Sequence, residues 1–216
     1  MVMRTFVHSV TFAILGAASC HADIFQILYA ANVDKGDSFI NATNTGANGA
    51  ALNGPGFGGA VGNICLNVYG FSPDEQLVAC CSCLITPNGL VSLSVTNDVL
   101  FNTLTGIRPN SAVIKLVTTA TGPGPSFTGT TCTNSAALAG SPNNPVVGGA
   151  QAWGTTLHVP AVIGGSFVTT ERPALEATLS PQELLSITNR CANIIGNGSS
   201  YGICRSCRNG GLNAER

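Results

Sequence analysis

Nine cysteines carry most of the chemistry this 216-residue sequence could perform, and they are unevenly spaced. Three of them fall within four positions, Cys80-Cys81-Ser82-Cys83, inside an apolar run that ends at Pro87-Asn88-Gly89. Cys81-x-Cys83 together with Cys204-x-x-Cys207 offers four thiolates of the kind that hold zinc or copper(I). Cys204-x-x-Cys207 alone has the spacing of a redox pair, whose first thiol belongs at a helix N-terminus that follows a strand. Here the motif instead follows a helical pattern and a glycine-rich loop at the end of the chain. Structural disulfides are therefore the expected use, and neither a metal nor a cofactor is expected. A vicinal Cys80–Cys81 bond is disfavoured, because adjacent residues of a strand point to opposite faces.

Disulfides require an oxidising compartment, and the N-terminus predicts one. Residues 1–22 read as a secretory signal: Arg4 supplies the positive start, 6–18 the apolar stretch, and Cys20-His21-Ala22 small residues before Asp23. The competing reading is a lipoprotein box, Ala17-Ala18-Ser19-Cys20, with Cys20 as a lipid anchor; it lacks the usual leucine three positions before the cysteine. Either reading removes Cys20 and leaves an even set of disulfide candidates: Cys65, Cys80, Cys81, Cys83, Cys132, Cys191, Cys204 and Cys207. No later segment is long and apolar enough for a transmembrane helix.

Other constellations weaken on inspection. Gly54-Pro55-Gly56-Phe57-Gly58-Gly59 matches a dinucleotide-binding pattern but leads into a strand rather than a helix. Gly198-Ser199-Ser200-Tyr201-Gly202 matches a nucleophile elbow, yet no histidine follows it. Beyond the leader the sole histidine is His158, so Ser-His-Asp catalysis would hang on one residue. Asp34, Asp37 and Asn41 fit no calcium-loop spacing, and Asp74 with Glu75 suits a solvated turn. No catalytic residue is assigned. Trp153 is the candidate ligand-contact residue, with Tyr29, Tyr69 and Tyr201 as further candidates for a sugar-binding face. Asn41-Ala42-Thr43 and Asn197-Gly198-Ser199 are glycosylation sequons.

Composition bounds the function class. Charged residues make up 9% of the chain, against about 25% in typical soluble domains, while apolar residues make up 44%. A real core is therefore available, and neutral polar side chains must carry solubility. With a formal net charge of −1 and only Lys35 and Lys115 as lysines, there is no cation cluster to displace counterions from a nucleic acid.

The elements that must position these residues are mostly strands. Period-two apolar patterns bounded by turn residues predict strands at 23–31, 37–43, 63–71, 77–86, 90–96, 99–104, 112–119, 153–159 and 166–170. The 63–71 strand alternates as a half-buried one. Glycine at the 87–89 turn is expected in the left-handed position. Residues 121–149 read as loops with one short strand near Cys132. Ser180-Pro181-Gln182-Glu183 has an N-cap, a proline at the first helical position and a capping glutamate. It predicts a helix over 180–195 that stops at Gly196 and buries Cys191 toward the sheet. The predicted fold is mainly β: an antiparallel β-sandwich or Greek-key barrel with one C-terminal helix, stapled by disulfides. One domain is expected over 23–216, comprising a sandwich over 23–170, the helix, and a cysteine-containing tail over 196–216.

The run Asn67-Val68-Tyr69-Gly70-Phe71-Ser72-Pro73-Asp74-Glu75-Gln76 leading into Cys80-Cys81-Ser82-Cys83 resembles a group of uncharacterised secreted bacterial proteins, chiefly acidobacterial. The ending Asn197-Gly198-Ser199-Ser200-Tyr201-Gly202-Ile203-Cys204-Arg205-Ser206-Cys207-Arg208 shares the resemblance. It implies export from a bacterial cell and brings no activity or site residue with it. The expected function is a non-enzymatic secreted or cell-surface protein, structural or adhesive and self-associating. Its expected partners are other copies of itself or cell-surface components. The alternative is an extracellular carbohydrate- or small-ligand-binding module. The apolar segment 24–30 either pairs within its own sheet or adds to that of a neighbouring copy.

Overall fold

The computed structural model describes residues 24–50, 61–124, 126–132 and 143–205. The expected leader with Cys20, the 54–59 glycine pattern and Cys207 lie outside these residues. The fold is mainly β, with two antiparallel sheets and one C-terminal helix. The strands are β1 (Phe25–Ala30), β2 (Phe39–Asn44), β3 (Ile64–Phe71), β4 (Leu77–Ile85), β5 (Leu90–Ser94), β6 (Ala112–Ala120), β7 (Ala150–His158), β8 (Val168–Pro173) and β9 (Leu175–Glu176). One sheet has the order β4-β3-β6-β1-β9, the other β5-β2-β7-β8. Neither sheet closes into a barrel, so the sandwich is the alternative realised.

Alternation along the strands builds the core. Ile64, Leu66 and Val68 of β3, Cys81, Cys83 and Ile85 of β4, and Ile114 and Leu116 of β6 face the second sheet. They meet Ile40 and Ala42 of β2, Val91 and Leu93 of β5, and Ala150 and Ala152 of β7. Gln26 ties the two sheets at one edge: its amide donates to the Ala150 carbonyl at 2.8 Å and accepts from the Ala152 N–H at 2.9 Å.

The five-stranded sheet is buried on its other face as well. Helix α1 (Pro181–Gly196) lays Ile187, Cys191 and Ile194 on Phe25, Tyr69, Phe71, Leu77, Cys80 and Val117. Beyond the helix, Cys132 covers Cys65 and Leu84. This third layer explains why every residue of β3 and β4 is buried. The half-buried pattern expected of 63–71 reflects polar side chains that are in fact enclosed: Asn67, for example, donates to Thr119 Oγ1 at 3.1 Å.

Several local expectations change. No strand forms at 99–104. The Ser94 hydroxyl accepts from the Asn97 N–H at 2.7 Å, and the Ser94 N–H donates to Asp98 at 2.8 Å, winding Val95–Val99 into a π-helical turn. No strand carries Cys132 among the described residues; it sits on a loop. The left-handed residue of the 86–89 turn is Asn88, at φ 59°, rather than Gly89. The helix includes Gly196 and is capped by Asn197, with Gly198 turning left-handed after it. The two-residue β9 was too short to leave a periodic signal. The segment 24–30 pairs inside its own sheet, with β6 on one side and β9 on the other.

Candidate functional site on the four-stranded sheet

Strands β3 and β4 of the five-stranded sheet are covered on both faces, but the four-stranded sheet presents its outer face to solvent. With Ile40, Ala42, Val91, Leu93, Ala150 and Ala152 turned inward, their neighbours must point out. Register sets the outward residues in rows. Ser92, Asn41, Trp153 and Pro173 form the central row, one from each strand. Phe39 lies beside Ser94 and Thr155 beside Glu171 in the row above, while Thr43 lies between Leu90 and Gln151 in the row below.

Trp153 thus occupies the middle of an open array, half-buried, with its neighbours on both sides fixed by strand pairing. Hydrogen bonds stiffen the surround. Thr155 Oγ1 accepts from the Phe39 N–H at 2.7 Å, and Thr43 Oγ1 donates to the Gly89 carbonyl at 2.9 Å. Glu171 brings the one charge into the array. A flat indole ringed by amide and hydroxyl groups can stack on an apolar surface and hydrogen-bond a neutral polar ligand at its edges.

The remaining sequence candidates are dispersed or already committed. His158 ends β7 with its Nε2 at 2.8 Å from Thr170 Oγ1. Ser199 donates its hydroxyl to Asn197 Oδ1 at 2.6 Å in the turn after the helix. Asp37 is a structural anchor: its carboxylate accepts from the Ser38 N–H at 2.8 Å, the Thr96 N–H at 3.0 Å, Asn97 Nδ2 at 3.2 Å and the Ser94 hydroxyl. Asp34 pairs with Lys35 at 2.8 Å, and that hydrogen bond holds its carboxyl below the usual range. Asn41 lies out on the sheet face, so these three do not converge on a calcium site. Ser72 turns its hydroxyl to Asp74, on the exposed β3–β4 connection.

The cysteines pair across the layers. Cys65 bonds Cys132, Cys80 bonds Cys191 and Cys81 bonds Cys204. Cys83 is disulfide-bonded as well. As strand geometry requires, Cys80 and Cys81 do not pair with each other but bond on opposite faces of β4: one to the helix, one to the tail. The tail also runs along the edge of β4, where the Cys80 N–H donates to the Gly202 carbonyl at 2.8 Å. Cys204 is buried and oxidised, so the redox and thiolate-metal readings lose a thiol each would need.

Tyr69 faces α1 within the third layer, where burial pushes its hydroxyl well above the ordinary value. Tyr29 and Tyr201 are exposed on other elements, so neither shares the array with Trp153. A separate groove of about 530 Å³ beside α1 holds the Lys115–Glu183 ion pair at 2.6 Å, with the Lys115 ammonium 4.9 Å from the Phe71 ring centre. Sequence reasoning singled out Trp153 but not the residues around it, since only strand register brings Asn41 and Pro173 to its sides and Ser92 beyond Asn41.

Among the described residues no helix is long and apolar enough to cross a membrane. No protein-family model, curated protein or solved structure matches the chain.

Proposed function

We propose that this chain is a non-enzymatic secreted or cell-surface protein with a structural or adhesive role, able to associate with itself. One observation carries the reading: adjacent cysteines on the buried strand β4 staple both of its faces, Cys80 to the helix and Cys81 to the tail. Cross-links placed that way suit a rigid body in an oxidising setting, where chaperones and a charged surface contribute little. The solvent-facing sheet around Trp153, with Glu171 as its one charge, is the contact surface such a body offers. Fractionation of expressing cells, with electron microscopy of the purified oxidised protein, tests the reading. Protein at the surface or in the medium that forms assemblies supports it; a reduced cytoplasmic monomer overturns it.

A second reading is favoured by the position of Trp153 beside Asn41, with Gln151 and Thr155 flanking it along β7 and Thr43 opposite Gln151. Amide and hydroxyl groups around an indole suit a carbohydrate, and the alternative function is a glycan-binding module. A glycan array separates the two. A scaffold leaves the array blank; a lectin-like module binds a defined set of sugars and loses them on Trp153→Ala.

A further inference from the structure

Strand pairing gathers several loops at one end of the sandwich. β7 ends there at His158, opposite Val168 of β8, and β6 begins there at Ala112, opposite Ala30 at the end of β1. Two hydrogen bonds join these ends. The Asn32 side-chain amide donates to the Leu157 carbonyl at 2.8 Å, and the Val33 N–H to the Asn110 carbonyl at 2.9 Å. Large apolar side chains are exposed at this end: Val159, Val162, Ile163, Phe167 and Val168 on the β7–β8 connection, and Ile107 on the connection into β6. Ile163 is 107% exposed and Ile107 74%, so both side chains stand clear of the body.

Both tips bond their backbone locally. The Gly165 N–H donates to the Val162 carbonyl at 3.1 Å, with Gly164 left-handed at φ 80° as the turn requires. The Ile107 N–H donates to the Thr105 hydroxyl at 3.3 Å, and its carbonyl accepts from the Thr103 hydroxyl at 2.9 Å. Local bonding of this kind lowers the cost of taking a turn out of water, because an unpaired backbone group is expensive in an apolar phase.

Charge is graded away from the hairpin tip. No charged residue lies between Val159 and Thr170. The first polar rung beneath the tip is His158 with Thr170, 2.8 Å apart, and Glu171 and Arg172 come only after it. On the neighbouring loops at this end the exposed charges are Asp34, Lys35, Asp74, Glu75 and Arg108, three carboxylates against two cations. A convex, uncharged tip suits a fluid apolar phase, which takes up side chains without a recess shaped to them; a protein partner needs that recess. The small acidic excess gives no attraction to anionic headgroups.

We propose that the chain attaches to a zwitterionic lipid bilayer by inserting the 159–168 tip, with Val162 and Ile163 deepest and His158 and Thr170 at the headgroup level. Ile107 makes a second contact from the same end. This rests on the cell-surface reading above and names the surface component as lipid. The few side chains inserted give a partition constant of about 10⁴ M⁻¹, the scale of a single myristoyl chain, so attachment is reversible.

Co-sedimentation of the oxidised protein with sucrose-loaded phosphatidylcholine vesicles tests this. Wild type binds, and equally at low and high salt. Ile163→Asp changes only an exposed side chain and weakens binding about 30-fold or more. Val162→Asp, on the same turn, repeats the loss independently. Val61→Asp makes the same kind of change at the opposite end, where β3 starts beside the far end of β6, and leaves binding as it was. Wild type that stays in the supernatant at about 10 mM lipid overturns the proposal, as does binding retained by both tip variants. Binding confined to phosphatidylserine vesicles and abolished by salt also overturns it, moving the contact to the charged loops. So does lipid-free self-association that Ile163→Asp abolishes, which assigns the tip to a second copy. A protein found at the cell surface that ignores vesicles loses the lipid contact and keeps the surface role. Vesicle binding by a protein found only reduced in the cytoplasm does the reverse.

Discussion

Two of the disulfides should contribute to stability in the reverse order of their sequence separations. Cys80 and Cys191 are 111 residues apart, Cys65 and Cys132 only 67. In the chain-entropy account a cross-link stabilises by restricting the unfolded chain, and more so for longer loops. On separation alone, Cys80–Cys191 would contribute about 4.7 kcal/mol. Cys81–Cys204, however, already joins the neighbours of both its ends, one residue away on β4 and 13 along the chain beyond the helix. With that bond intact, Cys80–Cys191 closes an effective loop of only about 14 residues, and its contribution falls to about 3 kcal/mol. No other described bond short-circuits Cys65–Cys132, which keeps about 4.4 kcal/mol. All four cysteines are buried, so replacing each pair with alanines removes comparable packing. Urea unfolding of Cys80→Ala/Cys191→Ala and of Cys65→Ala/Cys132→Ala should show the second variant less stable by about 1 kcal/mol or more. If the first variant is instead the weaker, the interlocked closure does not govern the unfolded state and the reasoning fails.

Other consequences follow from single side chains. Asp37→Ala frees the Ser38 and Thr96 amides and the Ser94 hydroxyl together, and should cost about 2–3 kcal/mol in urea unfolding; a neutral result would show the π-helical turn stands without it. Tyr69 holds its proton in the folded state above its ordinary value of 10.0, so its share of stability is intact below about pH 10 and lost as the pH rises further. In a Tyr29→Phe/Tyr201→Phe background, phenolate absorbance should therefore appear only with unfolding; early ionisation would contradict its enclosure by α1. Gly202 sits at φ 78° with the Ile194 side chain 2.7 Å from where a Cβ would lie, so Gly202→Ala should lower stability by about 2 kcal/mol, read from the unfolding midpoint. An unchanged midpoint would mean the tail is not held against the helix.

Much of the sandwich is visible in the sequence because one face of each strand is apolar. The alternation in 112–119 marks β6 to within one residue, while that in 90–96 runs two residues past the end of β5 at Ser94. Ser180, Pro181 and Glu183 mark the helix start, where the Ser180 hydroxyl accepts from the Glu183 N–H at 3.1 Å. Other features depend on contacts between distant parts of the chain. The enclosure of Asn67 follows from the helix and the Cys132 loop covering the face of 63–71 that its alternation marks as the open one. Ser94 and Asp98 override the apolar pattern at 99–104 by capping a turn that the period-two signal cannot register. Candidate-site legibility follows the same divide. Trp153 stands out by type, but its row partners lie on strands more than 50 residues away or across a long hairpin loop. The exposure of Val162, Ile163 and Phe167 in the β7–β8 connection is likewise invisible in the sequence, because exposure leaves no mark on a run of valine, isoleucine and phenylalanine.

The most direct test of a body held rigid by cross-links, with no reactive centre in its thiols, is a disulfide map of the native protein with a titration of its free thiols. The account predicts peptides joined through Cys65–Cys132, Cys80–Cys191 and Cys81–Cys204, and Cys83 blocked to alkylation without reduction. Native material in which Cys81, Cys83, Cys204 and Cys207 are free and bind a stoichiometric metal ion would contradict it.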